Sequence, residues 1–68
     1  MKIYTVDELA KKLGTNKNYI YDLKKSGLLR FMKLGRLKVR EEDVEEFLAW
    51  AVNKDVTDPF NVVDLNND

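Results

Sequence analysis

The chain has 68 residues, of which 12 are basic and 12 acidic, and it contains no cysteine and no histidine. This length allows one small domain, since independent domains rarely fall much below about 50 residues. Without cysteine there is no disulfide or thiolate chemistry, and without histidine the commonest general base and metal ligand are missing. We therefore expect a protein that is not an enzyme and that carries no cofactor and no metal.

The sequence also shows no signal for a membrane or for export. No apolar run approaches the roughly 20 residues of a membrane-spanning helix. Met1 and Lys2 lead directly into patterned sequence, which leaves no room for a secretory signal. We expect a soluble cytoplasmic protein that does not engage a membrane.

The zero net charge conceals two oppositely charged halves. Up to Arg40, 11 basic residues stand against 3 acidic ones and give +8, whereas from Glu41 onward 1 basic residue stands against 9 acidic ones and gives −8. Such an asymmetry is typical of chains that bind a polyanion through one part. The plainer interpretation is that solvated helices merely differ in sign.

The first predicted helix begins at the capping box Thr5 to Glu8, in which a hydroxyl and a carboxylate bond reciprocally to free amides. Gly14 then suits the left-handed residue that closes a helix. The spacing of i+3, i+4 and i+7 gives one apolar stripe, which consists of Val6, Leu9, Ala10 and Leu13.

The second predicted helix follows almost at once, with Thr15 or Asn16 as its cap. Ile20 and Leu23 form its inward pair, and it stops at Ser26 and Gly27. A short glycine-containing turn between two short helices is typical of a helix-turn-helix, although a helical hairpin used only for packing has a similar pattern.

The segment Leu28 to Arg40 changes to a period of two on both sides of Gly35 and Arg36. This period predicts a hairpin with one apolar and one basic face, whose apolar face packs on the helices. The predicted apolar face consists of Met32, Leu34, Leu37 and Val39, and the basic face of Lys33, Arg36, Lys38 and Arg40.

The third predicted helix starts with acidic residues at its positively polarised end, where they are favourable. Its carboxylates, between Glu41 and Glu46, accompany no nucleophile and are typical of a solvated face. Trp50 lies off the stripe and either covers the rim of the core against Ile3 or Tyr4 or contacts a partner. The apolar stripe consists of Val44, Phe47, Leu48, Ala51 and Val52.

These elements together predict a mainly α fold with a small β-hairpin, namely a winged helix-turn-helix of three short helices and a two-stranded wing. We assign it residues 1–53 and treat residues 54–68 as an acidic C-terminal tail. The tail is either frayed, folded back on the domain or docked on another protein. Its candidate partner-binding residues are Phe60, Val62, Val63 and Leu65.

The second helix carries the candidate base-reading residues, because a recognition helix meets base edges with its N-terminal part. Asn can pair with adenine and Lys can donate to guanine, whereas Tyr suits phosphate or sugar. Asp22 either accepts from cytosine or orients Lys17 or Lys25 through an ion pair. The candidate DNA-binding residues of this helix are Asn16, Lys17, Asn18, Tyr19, Tyr21, Asp22, Lys24 and Lys25.

The wing supplies a second set of candidate DNA-binding residues, Lys33, Arg36 and Lys38. Arginine at a hairpin tip can enter a minor groove, and phosphate contacts fix the register of a protein on the duplex. A basic tip also protects a sheet edge against aggregation, which is the plainer interpretation.

Five segments, in order along residues 3–50, resemble the excisionase-type, MerR-like winged helix-turn-helix family: Tyr4 to Ala10, Leu13 to Lys17, Ile20 to Leu23, Lys33 to Arg36 and Glu42 to Leu48. Within this resemblance, Lys17, Asn18, Tyr21 and Asp22 match the recognition-helix surface, and Arg36 and Lys38 match the wing. Asp22 stands where many relatives carry a basic residue. The stretch from Gly35 to the third helix is also one residue shorter than is common.

The resemblance implies a small double-stranded DNA-binding protein of phages, integrative elements or plasmids, located with the nucleoid of a bacterial or phage-infected cell. Such proteins act as recombination directionality factors that bend attachment-site DNA, or as small transcriptional regulators. Sequence after the domain can contact a tyrosine recombinase (integrase) or neighbouring copies on DNA. Because no long coiled coil follows the domain, we expect a monomer or weak oligomer. A protein-interaction adaptor, working through the acidic third helix and tail, is the alternative from another class.

Overall fold

The computed structural model describes residues 2–65, and it confirms the predicted winged helix-turn-helix. The helices are α1 (Val6–Leu13), α2 (Lys17–Ser26) and α3 (Glu41–Ala51). The strands are β1 (Ile3–Thr5), β2 (Met32–Leu34), β3 (Arg36–Arg40), β4 (Lys54–Asp55) and β5 (Val63–Asp64). β2, Gly35 and β3 form the wing.

Local sequence signals set the ends of the first two helices. The Thr5 hydroxyl accepts from the Glu8 amide at 3.1 Å, and the Glu8 carboxylate accepts from the Thr5 amide at 2.9 Å, as the capping box predicts. Gly14 closes α1 in the left-handed conformation with φ of 69°. Of the two predicted caps of α2, Asn16 is the one used, since its Oδ1 accepts from the Tyr19 amide at 2.9 Å.

The core lies where α1, α2 and α3 meet one face of the sheet. The predicted inward residues of α2, Ile20 and Leu23, are both buried. Of the predicted apolar stripe of α1, only Leu13 is half-buried and the other three residues are buried. The largest fully buried side chains are Leu9, Ile20, Leu23, Val39 and Val44. Each helix alone is too short to be stable in water, so this shared burial holds the helix-turn-helix together.

The sheet has three strands rather than two, because β1 pairs antiparallel with β3 in the order β1-β3-β2. The pair Tyr4 and Val39 joins the outer strand to the centre and lies in the core. Sequence patterning missed β1 because three residues are too few for a period-two pattern to be recognised.

The predicted division of the wing into an apolar and a basic face is wrong. Leu34 pairs with Arg36 across the single residue Gly35, and Met32 pairs with Lys38. Directly paired residues of an antiparallel ladder share a face. The even-numbered residues of both strands therefore lie together on the outer face, and Lys33 shares the inner face with Leu37.

The predicted stripe of α3 is correct only in part. Val44 and Phe47 are buried and Ala51 is half-buried, whereas Leu48 is 42% exposed and Val52 is 63% exposed. Val52 lies beyond the last helical residue, with φ of −58° and ψ of 133°, so the helical period no longer applies to it. Asn53 then takes a left-handed φ of 66° and reverses the chain.

Residues 54–65 turn back on the domain as a short hairpin of β4 and β5. Val56 packs against the core, and Pro59 is buried. Trp50 lies next to this hairpin, with its ring centroid 6.1 Å from that of Phe47 and 4.9 Å from the Lys54 ammonium. Trp50 thus contacts Phe47 of its own helix and Lys54 of the hairpin.

Candidate nucleic-acid interface

A cleft of about 380 Å³ separates the N-terminal part of α2 from the turn of the wing. α2 contributes Lys17 and Tyr21, and the wing contributes Arg36 and Leu37. Thr5, the last residue of β1, and the first two residues of α1, Val6 and Asp7, form the remaining wall. The structure thus brings together three predicted DNA-binding side chains, Lys17, Tyr21 and Arg36, which are up to 19 positions apart in the sequence.

The outer side of α2 continues from this cleft. Asn18 and Lys25 are both exposed, and they are seven residues apart, so about 100° per residue places them on the same side of the helix. Lys24 is exposed in the last turn, beside Lys25. Positive charges are favourable at this position because the C-terminal end of a helix is negatively polarised. These side chains extend a cationic surface along the helix.

Asn16 is the N-cap residue of α2 at this surface. Its Oδ1 accepts from the Tyr19 amide and caps α2, so that oxygen is engaged in the free protein. The cap fixes the helix start directly beside Lys17. Asn16 therefore positions the first turn of the helix.

Tyr19, another predicted DNA-binding residue, lies elsewhere. Its hydroxyl donates to the carbonyl oxygen of Val56, and its ring packs against the core. Burial, together with the nearby Asp55 carboxylate, raises the pKa of Tyr19 above its usual value of 10.0. The structure thus directs Tyr19 toward the C-terminal hairpin, because it lies about 160° around the helix axis from Tyr21.

The three predicted wing residues also separate. Arg36 is exposed next to Gly35, whose left-handed φ of 78° allows the tight turn, and it reaches the cleft. Lys33 is exposed on the inner face, opposite Leu37. Lys38 is half-buried on the outer face, between Met32 and Thr5, and it is not among the residues that line the cleft.

An acidic residue that the sequence did not single out lies inside the cationic cleft. The Asp7 carboxylate is 3.5 Å from the Lys17 ammonium, and both side chains are exposed. Within residues 2–65, no ion pair joins Asp22 to Lys17 or Lys25, so the predicted local pairing of Asp22 is replaced by Asp7. No sequence pattern indicated this contact, since it depends on the angle between α1 and α2.

Two arginines of the basic half are held by one carboxylate. Asp43, only 7% exposed, accepts from Arg40 Nε at 2.8 Å and from Arg40 Nη2 at 3.0 Å. Arg30 Nε lies 4.0 Å from the same carboxylate. The bonds from Arg40 are the main cause that holds the pKa of Asp43 below its usual value of 3.8. These arginines stabilise the start of α3.

The predicted partner-binding residues lie on the C-terminal hairpin. Phe60, Val63 and Leu65 are 60%, 46% and 63% exposed, and Val62 is half-buried. Residues 2–65 contain no helix long and apolar enough to cross a membrane. In the same part of the chain, acidic side chains form no group suited to a metal ion.

The three helices, the three-stranded sheet and the cleft between α2 and the wing turn define a winged helix-turn-helix protein. Residues 3–49 match the family model described as a helix-turn-helix domain. The chain therefore belongs to the helix-turn-helix domain family, and this membership indicates DNA binding. No curated protein and no solved structure matches the chain significantly.

Proposed function

We propose that this protein binds double-stranded DNA sequence-specifically and without catalysis, with α2 in the major groove and the wing turn on the adjacent backbone. The observation that carries the proposal is the cleft in which Lys17 and Tyr21 of α2 face Arg36 of the wing. A recognition helix needs its N-terminal residues exposed at one surface, and a wing needs a cation beside it.

The residues of this surface divide by chemistry. Asn18 and Lys17 have the groups that read adenine and guanine edges, whereas Tyr21, Lys24, Lys25 and Arg36 suit phosphate and sugar. A lysine that binds phosphate raises the affinity for every DNA sequence, whereas a base contact raises the affinity only for sequences that carry that base. Lys33, on the inner face of the wing, completes the set that we assign to the backbone.

Selection of binders from a random duplex pool, followed by footprinting, tests the proposal. If about five phosphates are neutralised, the logarithm of affinity should fall with the logarithm of salt with a slope of roughly −4 to −5. Asn18→Ala should relax the choice at particular base pairs by about 1–3 kcal/mol. Lys54→Gln, on the C-terminal hairpin, is the matched control and should change neither the salt slope nor the base preference. Failure to enrich any duplex, or binding that ignores salt, would contradict the proposal.

For the biological role we propose an excisionase-like recombination directionality factor, which bends attachment-site DNA for a tyrosine recombinase. The resemblance of the five segments to the excisionase-type, MerR-like family supports this role. Gel mobility of selected sites placed at different positions along a fragment should show bending. Straight DNA together with a binding site that overlaps a promoter would favour the alternative, a small phage or plasmid transcriptional regulator.

A second candidate, an adaptor that binds protein, is favoured by one observation: Phe60, Val63 and Leu65 remain exposed although the hairpin is folded back. In this alternative the acidic α3 and the hairpin are the working surface, for a recombinase or for neighbouring copies. Phe60→Ser combined with Val63→Ser should then abolish recruitment of the recombinase and leave single-site DNA affinity unchanged. Unchanged recruitment by the double variant would exclude this surface.

A further inference from the structure

A second cationic hollow lies next to the cleft around α1. It has a volume of about 380 Å³ and is lined by Tyr4, Glu8 and three lysines. We name these three lysines, Lys2, Lys11 and Lys12, the lysine cluster. The Lys2 and Lys12 ammonium groups lie 5.2 Å and 5.5 Å from the centroid of the Tyr4 ring, so both contact the same aromatic ring.

The lysine cluster carries more positive charge than its surroundings compensate. Within residues 2–65, no carboxylate forms an ion pair with any of its members. Glu8 lines the hollow and its carboxylate accepts from the Thr5 amide, while the Glu41 carboxylate accepts from the Tyr4 hydroxyl at 3.5 Å, so two acidic groups stand against three lysines. Like charges held over one ring repel each other, and a bound anion relieves that repulsion.

The position of the hollow relates it to the cleft. Asp7 lines the cleft, and at about 100° per residue Lys11, Glu8 and Lys12 of the hollow lie about 40°, 100° and 140° from it around α1. The hollow therefore begins beside the cleft, and its far edge at Lys12 lies up to about one helix width, roughly 10–12 Å, from it. Duplex DNA rises about 3.4 Å per base pair, so roughly three further base pairs span that distance.

We propose that the lysine cluster binds the phosphodiester backbone of duplex DNA that flanks the segment held in the cleft. The inference rests on the proposed DNA binding and extends it from one surface to two, joined by α1. A backbone contact fits because the cluster offers three flexible ammonium groups without a group for reading bases. Contact with both surfaces draws the flanking duplex toward α1.

The test compares Lys2→Gln/Lys12→Gln with the wild-type protein on one selected duplex in two lengths. The short duplex covers only the cleft footprint, and the long one adds ten base pairs on each side. We expect the salt slope on the long duplex to lose about two units, since each lost phosphate contact removes about 0.9, and to stay unchanged on the short one. Lys54→Gln is the matched control, because Lys54 also lies over an aromatic ring, 4.9 Å from the Trp50 centroid.

Thermal unfolding shows whether the double variant is folded. Lys11 is an exposed residue of the same hollow, so Lys11→Gln provides an independent variant, whose salt slope on the long duplex should fall by about one unit. Wild-type slopes for both variants on the long duplex would overturn the inference. Wild-type slopes with loss of cooperativity on a two-site duplex would also overturn it, in favour of an acidic surface of a second copy. Failure of the wild-type protein to bind any duplex would instead refute the proposed function.

Discussion

Tyr19 and Tyr21 stand two positions apart on α2, yet their environments have nothing in common. The Tyr19 hydroxyl donates to Val56 and the ring packs on the core, whereas Tyr21 is 40% exposed in the cleft. Tyr19→Phe should lower the free energy of unfolding by about 0.5–1.5 kcal/mol, the usual net value of one hydrogen bond, and leave DNA affinity unchanged. Urea unfolding and fluorescence anisotropy measure the two quantities.

Tyr21→Phe is the matched control and should give the opposite result. Loss of an exposed hydroxyl changes stability by less than about 0.5 kcal/mol, but it removes a phosphate donor from the proposed interface. A fall in DNA affinity for Tyr19→Phe at full stability would mean that the Tyr19 hydroxyl leaves Val56 to reach DNA.

Asp43 makes the stability of the fold dependent on pH. The bonds from Arg40 lower its pKa in the folded state, so its contribution is present above the unfolded pKa and is lost as the pH falls through the folded pKa. Asp43→Asn should lower the free energy of unfolding at pH 7 by about 1–3 kcal/mol, because the bonds are charge-assisted. The difference between variant and wild type should shrink as the pH falls below about 4.

Urea titrations at a series of pH values measure this difference, with Asp7→Asn as the control. Asp7 also pairs with a cation, but both partners are exposed, and such pairs contribute only about 0.2–1 kcal/mol. A constant difference between Asp43→Asn and wild type from pH 7 to pH 3 would show that the carboxylate charge is not the cause.

Within the wing, the pairing register decides which cation reaches the cleft. Arg36 and Lys38 lie two positions apart on the same face of β3, but Arg36 is beside the turn and Lys38 lies in the middle of the sheet. Arg36→Gln should weaken binding to all duplexes alike and reduce the salt slope by about 0.9. Lys38→Gln should have a smaller effect on the slope, which salt titrations of both variants will measure. Equal losses would mean that the duplex lies along the outer face of the sheet.

The elements that the sequence predicted well are those whose signals are local. The capping box at Thr5, the left-handed Gly14 and the inward pair of α2 each depend on residues within two turns of a helix. The wing faces were mispredicted because alternation on each strand does not reveal a one-residue turn, which sets the pairing between strands. The Tyr19 contact was missed because its partner is 37 positions away and carries no motif.

Over the whole molecule, the cationic surface is smaller than the sequence charge suggests. Arg40 is bound by Asp43, Arg30 lies 4.0 Å from the same carboxylate although its side chain is 77% exposed, and Lys17 shares the cleft with Asp7. Most of the remaining cations lie in the cleft, on the outer side of α2 or in the lysine cluster, whereas Lys33 and Lys38 lie on the wing and Lys54 on the C-terminal hairpin. On α3, by contrast, Glu42, Glu45 and Glu46 are exposed, so the acidic half of the chain keeps DNA away from that side.

The C-terminal hairpin contributes to the stability of the whole domain. Val56 packs against the core and its carbonyl accepts from Tyr19, so the hairpin forms one wall of a hollow that Leu13, Tyr19 and Phe47 also line. Val56→Ala should therefore lower the free energy of unfolding by about 1 kcal/mol, the value expected for the loss of two partly buried carbon atoms, in a single cooperative transition. Leu65→Ala, at a position 63% exposed, is the matched apolar control and should stay within about 0.5 kcal/mol of wild type. Equal stability of Val56→Ala and wild type in urea would show instead that the domain ends at residue 53, as the sequence alone predicted.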